Sequence, residues 1–213
     1  MLKTYLYLAE WEIDARLARF GVTRAELIDV VRQTLAARSD AIDVDPLNTP
    51  GQLSYIYGTR HLRLLFLKKG WQIDRTENVE SVFDSKTGTK ILFQNVDLAC
   101  SRFQSPKAIS GKGPAANRMI DTAQGKLFGP GDLPESVSPK AIASLNSTAW
   151  YFCVSFDEDG VKAELSLPAS TKGGNFFGFV ERIFVLIGGD WSRGLPKSEG
   201  EAPIEVLPTI ARR

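Results

Sequence analysis

One histidine and two cysteines are all the imidazole and thiol chemistry the chain carries: His61, Cys100 and Cys153. A structural zinc site takes four such ligands, so three cannot close one. The cysteines stand 53 positions apart with no CxxC spacing. Cys153 falls inside the apolar run 149–156, where a thiol is expected to be buried and inert. Two unpaired thiols, with no apolar leader ahead of Glu10, Glu12 and Asp14, point to a reducing compartment, and a cytoplasmic location without membrane association is the expectation. His61 beside a carboxylate would suit a general base, but no GxSxG elbow supplies a nucleophile for it. Ser110-Gly111-Lys112-Gly113-Pro114 invites comparison with a phosphate-binding loop. Pro106 stands where that motif needs its first glycine, and Gly113 where it needs the Ser or Thr that holds magnesium. Asp84-Ser85-Lys86 is the one acid-x-lysine match on a strand-like segment. With Glu80 and Asp97 it is the most a metal-dependent nuclease would have to build on. The chain therefore reads as non-catalytic, with no cofactor and no metal expected.

Charge is more informative than motifs. The formal net charge of the 213 residues is only +1, yet residues 58–126 hold 12 basic against 6 acidic groups. A segregated basic middle can hold phosphates even in a neutral protein. The candidate contacts are Arg60, Arg63, Lys68 and Lys69 in a helical stretch, then Arg102, Lys107, Lys112, Arg118 and Lys126 in the segment that follows. Nucleic acid is accordingly the expected partner. The alternative is a protein partner, as for an inhibitor or adaptor, met through Phe176, Phe177 and Phe179 or through the acidic turn at 157–159. A metal-dependent nuclease is the third reading. Ser105-Pro106-Lys107 and Ser138-Pro139-Lys140 each have the form of a helix start, the hydroxyl capping and the proline ring setting φ.

The elements that must position these groups follow from hydrophobic period. Leu6, Ala9, Ile13, Leu17 and Phe20 make one helical stripe that Gly21 stops. Thr23 and Glu26 form a capping box for a helix to about Arg38, with Leu27, Val31 and Leu35 inward. A connector of 39–51 leads to a third helix capped by Thr59 and ended at Gly70. The period then changes to two, from Trp71 and Ile73 onward. Residues 79–84 and 89–94 flank a turn closed by Gly88, and 149–156 and 161–167 make a second hairpin. Phe176, Val180, Ile183, Phe184 and Ile187 predict a buried helix over 176–187, with Asn175 as its cap, and a strand over 179–187 is the rival because Phe, Val and Ile dominate there. Between the hairpins, 15 of the 39 residues 101–139 are Gly, Pro or Ser, the mark of a long functional loop. The sum is one α+β domain over 1–187. Its N-terminal helices precede an antiparallel sheet of two β-hairpins, on which a C-terminal helix packs, and an extended tail at 188–213 follows.

Overall fold

A computed structural model describes residues 4–123, 147–157 and 160–188 of the chain. The fold is α+β. Strand β1 (Tyr5–Tyr7) leads into α1 (Glu10–Leu17), a 3-10 turn at Ala18–Phe20, α2 (Arg24–Ser39) and α3 (Thr49–Lys68). Then come β2 (Gln72–Asp74), β3 (Ser81–Asp84), β4 (Thr89–Asn95), α4 (Pro114–Ala123), β5 (Thr148–Asp157) and β6 (Gly160–Pro168). The short β7 (Thr171–Lys172) and β8 (Asn175–Phe176) precede β9 (Phe179–Leu186). Among the described residues no helix is long and apolar enough to cross a membrane.

Local chemistry sets several of these boundaries. Gly21 takes φ 72°, a left-handed stop that a side chain would resist. The Thr23 hydroxyl accepts from the Glu26 N–H while the Glu26 carboxylate accepts from the Thr23 N–H, so the capping box starts α2. Helix α3 begins ten residues ahead of the expected cap at Thr59, because Pro50 is well placed in a first helical turn. Two glycines within it hid this start. One of them, Gly58, lies flat against the Phe93 ring, where a Cβ would come within 2.4 Å of ring carbons. The helix ends in a Schellman arrangement: Trp71 N–H donates to Phe66 O, Gly70 N–H to Leu67 O, and the Phe66 and Trp71 rings meet at 4.6 Å.

Seven strands form one sheet in the order β1-β9-β6-β5-β4-β3-β2. Both expected hairpins are present, β3–β4 and β5–β6, each antiparallel. The sheet as a whole is mixed, since β4 pairs parallel with β5 and β1 parallel with β9. Parallel neighbours need a crossover, which here leaves β4 by way of α4.

Three expectations fail for tertiary reasons. Leu6 belongs to an edge strand rather than to the helical stripe. Ser105-Pro106 starts no helix, and α4 begins instead at Pro114. The segment expected as a C-terminal helix is strand β9, and Asn175 caps nothing because it lies in β8. A strand buried on both faces carries apolar residues at odd and even positions alike, which matches helical spacing by accident. Its two central charges settle the matter. Glu181 points toward the helices and takes a two-pronged bond from Arg16 at 2.6 and 2.7 Å, while Arg182 points to the other face and meets Glu164.

Alternation along the strands separates two cores. Ile91, Phe93, Trp150, Phe152 and Val154 face α1, α2 and α3, packing on Leu17, Leu27, Leu62 and Phe66. Leu92, Tyr151 and Cys153, one residue out of phase, face Met119 and Ile120 of α4 and Phe176 and Phe179. Helices α3 and α4 therefore lie on opposite sides of the sheet.

Candidate functional site

The second face of the sheet, away from α1–α3, is unusually polar. Lys90 is fully buried there and bonds Asp74 at 2.6 Å. Farther along, Glu164 of β6 and Arg182 of β9 are cross-strand neighbours through the Ser166–Arg182 register. Their side chains are 0% and 4% exposed. Arg182 Nε donates to Glu164 Oε1 at 2.8 Å, and its second fork nitrogen to Oε2 at 2.6 Å. Ser166 Oγ donates to Oε1 at 2.8 Å, and the Cys100 N–H donates to Oε2. A buried carboxylate with four donors, two of them from one forked cation, leaves no lone pair to waste.

The third nitrogen of Arg182 does something else. It donates to the Ser101 carbonyl at 2.8 Å and to the Gln104 carbonyl at 3.1 Å. Ser101 Oγ in turn accepts from the N–H groups of Phe103, at 3.3 Å, and Gln104, at 3.1 Å. The turn 101–104 is thus fastened from beneath at both ends, and Arg102 and Phe103 are what it presents to solvent. Phe103 is 97% exposed. Cys100, just before the turn, adopts φ 58°, a left-handed conformation that costs a non-glycine residue about 1–3 kcal/mol. The bond to Glu164 holds it there. Burial and the Glu164 carboxylate push the Cys100 thiol well above the usual range.

Neighbouring segments extend the same display. Val96 and Ala108 form an isolated bridge, with Asp97 N–H donating to Lys107 O at 3.0 Å and Asp97 Oδ1 accepting from Lys107 N–H at 2.7 Å. The backbone at 107 is held, and the exposed Lys107 side chain projects from it. On the β7–β8 ribbon, Gly173 and Gly174 at φ 59° and 76° make the tight turn that two positive-φ residues allow. The ribbon presents Lys172 with its Nζ 5.5 Å from the ring of Phe177, which is 59% exposed.

Lys112 is placed differently. Its N–H donates to Gly174 O at 2.8 Å, and its ammonium turns inward, 3.7 Å from the Phe176 centroid, 4.4 Å from that of Tyr151 and 3.0 Å from Gln94 Oε1. Burial lowers its pKa from 10.5 to about 8. It fastens the loop to the sheet and is not available to a macromolecule. Cys153 is fully buried beneath it, its thiol pushed far up by desolvation, as the apolar run suggested.

The expected basic surface is divided by this architecture. Arg60, Arg63, Lys68 and Lys69 lie on α3, and Arg102, Lys107, Lys112 and Arg118 across the sheet. Arg63 pairs with Glu80, Lys69 with Glu26 at 2.7 Å and Arg118 with Glu77 at 2.8 Å. Arg60 lies over the Tyr57 ring at 4.3 Å, Lys68 is exposed, and Lys126 falls outside the described residues. Of the expected contacts among the described residues, Arg60 and Lys68 stay exposed on α3, and Arg102 and Lys107 stay exposed together on the other side of the sheet. His61 sits against Tyr57 in the α2–α3 cleft, its pKa lowered by burial and by Arg60.

The other readings redistribute as well. Glu80 is committed to Arg63 and Arg75, and Asp84 to its own turn through Lys86 N–H and Thr87 Oγ1. Asp97 binds backbone at Leu98 and Lys107. Among the described residues no three His, Cys, Asp or Glu side chains gather to hold a metal ion. Of the phenylalanine cluster, Phe176 and Phe179 are core and Phe177 alone is exposed. Of the acidic turn, Asp157 is exposed and pairs with Lys162 at 3.0 Å, while 158 and 159 lie outside the described residues. Sequence reasoning missed Phe103, Glu164 and Arg182, while the turn Thr171-Lys172-Gly173-Gly174-Asn175 reads from sequence as a connector that could also cradle an anion. A phenylalanine beside Arg102 in a Gly/Pro/Ser-rich stretch was the available signal for the first. Nothing in the spacing of Glu164 and Arg182 marked them as a pair. No family model matches the chain, and no curated protein or solved structure matches it.

Proposed function

We propose that the protein is a non-catalytic module that binds single-stranded nucleic acid on the second face of its sheet. The observation that carries this reading is Phe103, nearly fully exposed yet held on a fastened turn beside Arg102. An apolar ring kept in water on ordered backbone suits a stacking platform, because every base has a face to offer it. Lys107 and Lys172 add exposed positive charge for phosphates, and Phe177 adds a second ring. Duplex DNA would gain less, since its bases are already stacked.

Fluorescence anisotropy with a labelled single-stranded oligonucleotide tests the proposal. Three phosphate contacts on a single strand give a log–log salt slope of about −2, so affinity should fall roughly twentyfold between about 50 and 200 mM salt. Phe103→Ala should weaken binding by about 1–3 kcal/mol, and the fold should not notice it. An oligonucleotide that fails to bind at about 50 mM salt, or that binds Phe103→Ala unchanged, removes the reading.

A further inference from the structure

The opposite side of the molecule carries its own unexplained surface. Helix α3 is 20 residues long, about 30 Å. Its outward stripe at four-residue steps reads Gln52, Ile56, Arg60, Leu64 and Lys68, all exposed. Ile56 and Leu64 are each 48% exposed, and Tyr55 and Leu67 of the same helix 41% each; apolar groups gathered on one element, unlike scattered single ones, mark an interaction surface. Beside the stripe, between α2 and α3, runs a cleft of about 530 Å³ lined by Asp29, His61, Leu64 and Lys68 among others.

The two ends of α3 differ in charge. Its N-terminal end is preceded by a loop carrying Asp40, Asp43 and Asp45 together with the exposed Ile42, Val44 and Leu47. Its C-terminal end carries the exposed Lys68, followed by the exposed Ile73, while Lys69 is held by Glu26 and Arg75 by Glu80. A surface acidic at one end, basic at the other and apolar either side of its midpoint is complementary to itself when reversed.

We infer that α3 is the dimerisation helix of a two-fold symmetric homodimer, packed antiparallel against α3 of a second copy. A two-fold axis through Arg60 sets Ile56 against Leu64 of the other copy, and Gln52 against Lys68. It brings the Asp43 loop of each copy to the Lys68 end of its mate, twice over, as an isologous interface requires. Arg60 is drawn over Tyr57, one turn back, which leaves the apolar pairs to meet at the crossing. Opposite charges across the rim set the antiparallel register and penalise the parallel one. Because α3 and the Phe103 turn lie on opposite sides of the sheet, dimerisation leaves both copies of that turn open, and this inference stands independently of the nucleic-acid reading.

Sedimentation velocity on the full chain, from about 1 to 100 µM, gives the test, a range that brackets ordinary weak-to-moderate self-association. Wild type should be dimeric in the upper part of the range. Leu64→Glu, at an exposed position, should be monomeric throughout with an unchanged circular dichroism spectrum. Asp43→Lys and Lys68→Glu should each weaken dimerisation at least tenfold, and the double variant Asp43→Lys/Lys68→Glu should recover most of that loss. A monomeric wild type overturns the inference, and so does a dimer indifferent to Leu64→Glu. Failure of the double variant to recover overturns the antiparallel arrangement.

Discussion

Replacing Arg182 by lysine isolates what the buried fork does for the Phe103 turn. Lysine keeps a positive charge beside Glu164, so the carboxylate is not left alone in the interior, a loss that typically costs about 3–5 kcal/mol. What it cannot keep is the fork. Arg182 makes two bonds to Glu164 and two to the carbonyls of Ser101 and Gln104, and an ammonium that stays on the carboxylate abandons the turn. Hydrogen bonds from a charged donor are worth about 1.5–3 kcal/mol each. Both carbonyls regain water on release, which returns part of that. The net loss of local stability is then about 2–3 kcal/mol. When opening is fast relative to cleavage, proteolysis follows the population of the open form, so chymotryptic cleavage after Phe103 should accelerate roughly 30- to 150-fold at that free-energy difference. Mass spectrometry identifies the cut, and urea unfolding reports global stability in parallel. If global stability falls while cleavage after Phe103 keeps its wild-type rate, Arg182 joins strands and does not hold the turn. The account of the site would then be wrong.

Two further outcomes test other parts of the fold. Burial holds the Lys112 ammonium at a pKa of about 8 instead of 10.5, so the folded state carries a charge penalty below pH 8. That penalty is relieved as pH rises to about 10.5, because the unfolded chain keeps its proton longer. The gap corresponds to about 3 kcal/mol, partly offset by the Phe176 and Tyr151 rings at about 0.5–2 kcal/mol. Lys112→Met should therefore be more stable than wild type at pH 7 by about 1–2 kcal/mol, and the difference should shrink between pH 8 and 10.5 in paired urea titrations. The paired design cancels Cys153, whose thiol titrates in the unfolded chain over the same window with opposite sign. A difference that does not change with pH would contradict the desolvation of Lys112. Gly58→Ala drives a methyl group into the Phe93 ring. It should cost about 1–3 kcal/mol in thermal or urea unfolding despite the higher helix propensity of alanine, and a stabilised variant would mean that α3 does not sit on β4 this closely.

How legible these features were depended on the range of the interactions behind them. The capping box at Thr23 and Glu26, the glycine stops at 21 and 70 and the two hairpin turns involve residues within a few positions of one another, and they were read where they occur. The start of α3 was not, because Gly51 and Gly58 weaken the helical signal and only the distant Phe93 ring explains the second of them. The site was half legible. Arg102 and Lys107 were named from charge alone. Phe103 gained meaning only when Arg182, 79 positions later, proved to hold its turn.

The amino-acid order by itself determined an α+β chain with helices ahead of hairpins and positive charge concentrated in its middle. Only the tertiary structure decided which side of the sheet each charge occupies. It did so by placing α3 and the 101–109 segment on opposite faces and by supplying Glu80, Glu26 and Glu77 to three of the cations. It also decided that 179–186 is a strand. An apolar run serves a buried helix or a strand buried on both faces equally well. The choice falls to whether Arg16 and Glu164 wait on opposite sides for Glu181 and Arg182, and residues that far apart in the chain leave no mark on the local period.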